Sequence, residues 1–149
     1  MSMFTAFDIN ASGMTAQRLR MDIISENVAN AQSTRTEDGT PYRRKVVTFE
    51  EKGGQTKFSR VLNKYFDKYS GEGVKVSGVY EDTWTEMKLV YDPSHPDANE
   101  EGYVEMPNVN PITEMTNLID ASRAWEANST AFTASKSMAM KALQIGNNG

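Results

Sequence analysis

Residues 112–145 of this 149-residue chain contain neither glycine nor proline, and so long a run predicts one continuous α-helix. Asn110-Pro111 opens it, with Asn as N-cap and Pro at the first helical position, where its missing N–H costs nothing. Gly146 supplies the expected stop. The helix would span roughly 51 Å at 1.5 Å per residue. Leu118, Trp125, Phe132 and Ala139 recur every seven residues; Ala124, Ala131, Met138 and Ile145 form a second such row, with Ala121 and Ala142 between them. On a helical wheel the rows border an arc of about 120°. Asn128 and Ser135 fall inside that arc, either as polar residues that fix register in a seam or as its wetter part.

The N-terminal end passes the same test over residues 3–30. Phe7, Met14, Met21 and Val28 form one seven-residue row, flanked by Phe4, Ala11 and Ile24. Ile9, Ala16 and Ile23, with Leu19 beside them, form another on nearly the opposite side. A helix apolar on two faces needs cover on both. The C-terminal helix can supply one; the middle of the chain reads as too short and polar to supply the other. The expectation is therefore that the second face is covered by self-assembly or by a larger assembly.

The chain thus divides into an N-terminal helical arm (1–33), a middle segment (34–110) and a C-terminal helical arm (111–149), the two arms forming one discontinuous helical domain. The expected fold class is α+β, with the long terminal helices paired as a coiled-coil-like layer around a small β-rich middle. The middle holds all six tyrosines, seven of the ten glycines and most of the charge. Within it, 43–50, 74–76 and 87–91 are β-prone, while 58–66 reads equally as helix or strand. Gly53-Gly54 marks a break, Gly71, Gly73 and Gly78 mark turns, and 92–97 is a turn-rich loop.

Composition removes most chemistry. There is no cysteine and a single histidine, His95, so disulfides, thiolate metal sites and a cysteine nucleophile are excluded. His95 with Asp92 and Asp97 is the one metal-binding or enzymatic alternative to a structural histidine. Gly53-Gly54 lacks the Lys-Ser/Thr of a phosphate loop. Arg43-Arg44-Lys45 is followed by Glu50 and Glu51, and the chain carries 16 Lys+Arg against 20 Asp+Glu, a net charge of −4. The triplet therefore reads as a solvated strand edge rather than a nucleic-acid contact. Asp8, Arg18, Arg20, Asp22 and Glu26 interrupt the first helix, so no membrane insertion is expected. The N-terminus lacks the early basic residues and apolar core of a cleavable signal. No catalytic, cofactor or metal residues are assigned.

Motifs carry more than composition. Glu26-Asn27-Val28-Ala29-Asn30, followed by Ser33-Thr34, resembles the N-terminal signature of the bacterial flagellar rod and hook proteins. Gly39-Thr40-Pro41-Tyr42-Arg43-Arg44, Asp92 to Ala98 and Gly102-Tyr103-Val104 resemble the proximal-rod members in particular. Met106-Pro107-Asn108-Val109-Asn110, then Glu114-Met115, Leu118-Ile119, Ala121, Arg123 and Ala127-Asn128, resemble the family's C-terminal signature. Two positions depart from it: Thr40, where a second glycine is common, and Trp125, where tyrosine is usual.

The resemblance implies a structural subunit of the flagellar basal body, exported by the flagellar type III system without signal cleavage. It would assemble helically with copies of itself and other rod proteins, and with MS-ring and export-gate components, into a shaft that carries torque. The rod would lie in the periplasm where an outer membrane exists. Expected seam or inter-subunit residues are Phe4, Phe7, Ile9, Met14, Met21, Ile23, Ile24, Val28, Leu118, Trp125, Phe132 and Met138. Signature residues are Asn27, Ala29, Asn30, Pro107, Asn108 and Asn110. No nucleic acid and no cofactor are implied. The alternative is a non-flagellar coiled-coil subunit of a secretion or adhesion assembly.

Overall fold

The computed structural model describes residues 3–52 and 72–147. In chain order they form helix α1 (Met3–Ala29), strands β1 (Lys45–Glu51), β2 (Val74–Glu81), β3 (Lys88–Tyr91) and β4 (Tyr103–Met106), and helix α2 (Pro111–Asn147). The fold is α+β: two long helices flank a small β-rich middle. Among the described residues no helix is long and apolar enough to cross a membrane.

The strands make two two-stranded sheets, β1-β2 and β3-β4. The β1-β2 pair is antiparallel, since the Lys52 N–H donates to the Gly73 carbonyl at one end and the Asp82 N–H to the Arg44 carbonyl at the other. In the β3-β4 pair Lys88 faces Met106 and Tyr91 faces Tyr103. Strand β4 was not anticipated, because four residues following a Glu-Glu-Gly turn carry little signal of their own. Gly78 lies within β2 rather than at a turn; Tyr80 folds its ring over the space a β-carbon would take there. Gly146 does not end α2, because one glycine costs a helix only about 1 kcal/mol. The glycines at 53, 54 and 71 and the stretch 58–66 lie outside the described residues.

The chain forms two compact units. The first comprises Met1–Arg18, Phe49–Ser77 and Ser122–Gly149, and the second Leu19–Thr48 and Gly78–Ala121. In the first, α1 and α2 run antiparallel. Phe7 meets Phe132 edge-on with ring centroids 5.0 Å apart, and Gly13 sits against the side chain of Asn128. On the other side of α1, Ser12 Oγ accepts the Val74 N–H at 3.1 Å, and Gly73, at φ +99°, presses on Ser12 and Ile9. The core of the second unit is Ile24, Tyr42, Val104, Val109 and Ala121, with Asn27, Asn108 and Glu114 buried among them.

Two expectations need correction. The second face of α1 finds cover in its own chain: Ile9, Leu19 and Ile23 are half-buried and Ala16 is buried. At the Ile9 end the cover is the start of β2, where Gly73 lies against Ile9 and Ser12 and the Val74 N–H donates to Ser12 Oγ. The uncovered apolar surface belongs instead to α2, where Ile112, Met115 and Ile119, and farther on Met138, Met140, Leu143 and Ile145, are exposed. The least exposed line on α2 runs through Glu114, Leu118, Ala121, Ala124, Asn128, Phe132, Ser135 and Ala139, in steps of three or four. Of the row Ala124, Ala131, Met138 and Ile145 only Ala124 is half-buried and the rest are exposed, while in the row Leu118, Trp125, Phe132 and Ala139 only Trp125 is exposed.

Candidate functional site: a buried polar node

Asn27 occupies the last full turn of α1 and is 0% exposed. A buried amide without partners would cost several kcal/mol, yet every hydrogen-bonding site on this one is filled. Its Nδ2 donates to the Lys45 carbonyl at 2.8 Å and to Glu114 Oε2 at 3.1 Å. Its Oδ1 accepts the Tyr42 hydroxyl at 2.9 Å and the Lys45 N–H at 2.8 Å. One side chain therefore ties the end of α1 to the start of β1 and the first turn of α2.

Glu114 is the charged centre, 1% exposed. Arg44 donates to its Oε1 twice, from Nε at 2.9 Å and from a terminal nitrogen at 2.8 Å. Asn117 adds a contact at 3.3 Å. The guanidinium also lies 3.7 Å from Asp82. A buried carboxylate is tolerable only when paired and hydrogen-bonded in this way. Lys45 pairs with Glu26 on the rim.

Asn108 extends the network. Its Oδ1 accepts the Arg44 N–H at 2.8 Å, and its Nδ2 donates to the carbonyls of Asp82 at 2.8 Å and Thr85 at 3.1 Å. The turn it grips is further held by Asp82, whose Oδ1 accepts the N–H groups of Trp84 and Thr85 and whose Oδ2 accepts the Thr85 hydroxyl. These bonds, the Thr85 hydroxyl first, hold the Asp82 carboxyl below its usual range. Burial, with the negative charges of Glu26, Glu81 and Glu114 behind it, pushes the Tyr42 hydroxyl up to about 12.

The remaining signature residues finish the helix ends. Asn30 closes α1, donating its amide to the Glu26 carbonyl at 3.0 Å and accepting from the Ser33 hydroxyl at 3.0 Å. Asn110 opens α2, its Oδ1 accepting the Ile112 N–H at 3.1 Å, the cap expected from Asn-Pro. Pro107 is fully buried. Ala29 is exposed and lines, with Val28, Gln32, Lys88, Val90 and Met106, a groove of about 440 Å³.

Of the other seam residues, Ile24 is buried, and Phe7, Ile9, Met14, Met21, Ile23, Val28, Leu118 and Phe132 are half-buried. Phe4, Trp125 and Met138 are exposed, Met138 at 64%. The reading of Arg43-Arg44-Lys45 as a solvated edge is corrected: Arg44 and Lys45 are half-buried and spent on Glu114 and Glu26. Arg44 and Glu114 were missed as a pair because 70 residues separate them, and no local spacing reports such a contact. At 92–97, the His95 Nδ1 accepts the Asp97 N–H at 3.1 Å, and Asp97 accepts the Thr34 hydroxyl at 2.8 Å. The ring is thus a turn brace. Among the described residues no group of three His, Asp or Glu could hold a metal.

Comparison with known proteins agrees with the motifs. Residues 7–35 match the family described as "Flagella basal body rod protein", and residues 100–145 match "Flagellar basal body rod FlgEFG protein C-terminal". The chain is 47% identical to the flagellar basal-body rod protein FlgC of Bacillus subtilis, over 98% of this chain and 99% of that protein. It is 44% identical to FlgC of Borreliella burgdorferi, over 97% and 98%, and 40% identical to FlgC of an Escherichia coli O6:H1 strain, over 98% and 99%. Near-complete coverage at this identity spans both helices, both sheets and the node between them, and the chain belongs to the FlgC family of flagellar basal-body rod proteins.

Proposed function

We propose that the chain is a structural subunit of the flagellar basal-body rod, placed in its proximal part, whose work is mechanical. It packs with copies of itself and with other rod proteins into a helical shaft that carries torque, and it reaches the rod through the type III export route without signal cleavage. The observation that supports this most directly is the set of exposed apolar residues on α2. Ile112, Met115, Ile119, Met140, Leu143 and Ile145 are all more than half exposed on a helix of 37 residues, more apolar surface than an isolated soluble subunit normally leaves in water. Closely packed apolar seams are poorly compressible and transmit strain, which is what a shaft requires.

In this reading the arms form a discontinuous helical domain in the assembled rod. Phe4, Trp125 and Met138, exposed in the single chain, are inter-subunit contacts, and contacts with the MS ring and export gate occur at one end. The test is deletion of the gene in a motile host. Basal bodies should be absent beyond the ring and export apparatus, and the wild-type chain should restore the rod. Rods that assemble normally in the deletion strain would refute the proposal.

A further inference from the structure

The buried node grips a turn that adds little to the core. Between β2 and β3, Thr83, Trp84 and Thr85 are all exposed, and Trp84, at 94%, is the most exposed large apolar side chain among the described residues. Yet the buried Asn108 donates to the Asp82 carbonyl at 2.8 Å and to the Thr85 carbonyl at 3.1 Å. Asp82 accepts the Trp84 N–H at 3.2 Å and the Thr85 N–H at 3.0 Å, and Arg44 stands 3.7 Å from its carboxylate.

A turn that only joined two strands would need no such bracing. Here the bracing fixes the backbone that carries Trp84, so part of the cost of ordering an anchor is met before any partner arrives. Tryptophan is among the side chains that carry most of the energy of an interface. Glu81 and Glu86 on either side are exposed, while the carboxylate between them, Asp82, is matched by Arg44. The turn therefore presents a knob: one indole flanked by two exposed carboxylates.

The first unit holds a groove of matching character. It lies between α1 and the start of β2, measures about 500 Å³ and is walled by Ala11, Thr15, Val74 and Val76, small side chains that leave room for a flat ring. The bond from the Val74 N–H to Ser12 Oγ, 3.1 Å, fixes its two sides together. Lys52, Lys75 and Asp8 also line it, and all three are exposed. Glu50 holds Lys75 in place at 2.9 Å. Ammonium groups favour the face of an indole ring, and a carboxylate such as that of Asp8 accepts the indole N–H.

We propose that Trp84 on its braced turn is the plug, and the groove between α1 and β2 the socket, of a contact between successive copies of this chain. Size, ring chemistry and charge select the occupant. The groove admits an aromatic ring, offers it cations and an N–H acceptor, and sets two ammonium groups against one carboxylate where the knob brings two carboxylates. Plug and socket lie on different units of the chain, so the contact is heterologous. Each copy added leaves one plug and one socket unfilled, and the contact propagates instead of closing into a dimer. The proposal rests on the self-assembly reading above and adds to it which surfaces meet. It also gives the grip of Asn108 and Asp82 a purpose, which is to hold the anchor still.

The experiment is sedimentation velocity of the full chain over a series of concentrations. Wild-type chain should grow past the dimer as concentration rises. Trp84→Ala removes the plug, and Thr15→Glu sets a carboxylate in the socket at an exposed helix position. Each variant alone should associate about tenfold more weakly or worse, as loss of an interface anchor does. Mixed in equal amounts, the two keep one good surface each and should form dimers and nothing larger. Both alter exposed positions, so circular dichroism and the urea midpoint should match wild type. Wild-type chain that stays monomeric or stops at the dimer, either variant associating as wild type does, or a mixture that stays monomeric would each overturn the proposal. Trp84→Ala that associates normally yet fails to restore rods in the deletion strain would assign the turn to a different partner and overturn the contact between copies. Failure here together with a rodless deletion strain removes only this contact, whereas a deletion strain with normal rods removes the rod assignment itself.

Discussion

At the scale of single residues, the molecule concentrates its specificity in Asn27, Arg44, Asn108 and Glu114. Polar networks of this kind contribute modestly when complete and cost heavily when broken, because each orphaned group keeps its full desolvation penalty. Asn27→Ala strands the Tyr42 hydroxyl, both Lys45 backbone groups and one oxygen of Glu114 at once. The expected loss is about 2–4 kcal/mol, read as a lower urea midpoint with an unchanged slope. Arg44→Met should cost at least as much, since it leaves the Glu114 carboxylate buried without its cation. Arg44→Met/Glu114→Leu together should cost less than Arg44→Met alone, because the pair is removed rather than split. Tyr42 adds a pH signature. Its hydroxyl is raised from 10.0 to about 12 in the folded chain, so the folded state binds the proton more tightly than the unfolded one. That stabilisation is fully present below pH 10 and is lost as pH rises from 10 to about 12. Tyr42→Phe should flatten the alkaline limb of a stability-versus-pH curve.

At the scale of elements, the helix pair and its covering hairpin depend on glycines for close approach. Gly73 stands at φ +99°, where a side chain is strained, and a β-carbon would collide with Ser12 Oγ, the acceptor of the Val74 N–H. Gly73→Ala should release the start of β2 from α1 and lower the melting midpoint by several degrees, as a loss of about 2 kcal/mol would. Gly13→Ala is subtler. It gains about 1 kcal/mol of helix propensity but sets a β-carbon 2.7 Å from Asn128 Oδ1, in competition with the bond from Asn128 to the Ala124 carbonyl. The single variant should be neutral or mildly destabilising, and Gly13→Ala/Asn128→Ala should be more stable than either single change, measured as a double-mutant cycle. Phe132→Asp removes the ring that meets Phe7 and sets a charge in the helix pair. It should abolish rod assembly, scored as loss of motility in a complementation assay.

Across the whole molecule, protection is unevenly spread. Glu114 and Ala121 of α2 are buried, whereas residues 140–146 are all exposed. Amides with few packed neighbours open at low cost. In dilute solution the amides of 140–146 should exchange within seconds while those near Glu114 and Ala121 persist far longer. Incorporation into an assembled rod should slow the first group by at least two orders of magnitude. Equal protection of both groups in the free chain would count against burial of the α2 tail on assembly.

How much of this was legible without coordinates follows from the range over which each signal acts. The two helices were evident, to within a few residues at their ends, because caps and breakers act locally: Asn110-Pro111 opens α2 just as its types require. Three of the four strands were visible from β-branched and aromatic runs. The signature asparagines were picked out by resemblance, and Asn110 was legible as the cap of α2, but the work of Asn27 and Asn108 in the node and of Asn30 at the end of α1 was not. Arg44 was assigned to solvent and Glu114 given no partner, since a charged residue's burial depends on which distant group reaches it. The same holds for cover: periodicity shows that α1 has two apolar faces, but only the folded hairpin shows that its own chain meets the second and that α2 is left bare. Local stereochemistry and hydrophobic period thus determined the elements, whereas long-range pairing decided the node, the covered helix and the exposed one. Those pairings are energies between residues as far apart as Phe7 and Phe132, which exist only once the chain has closed on itself.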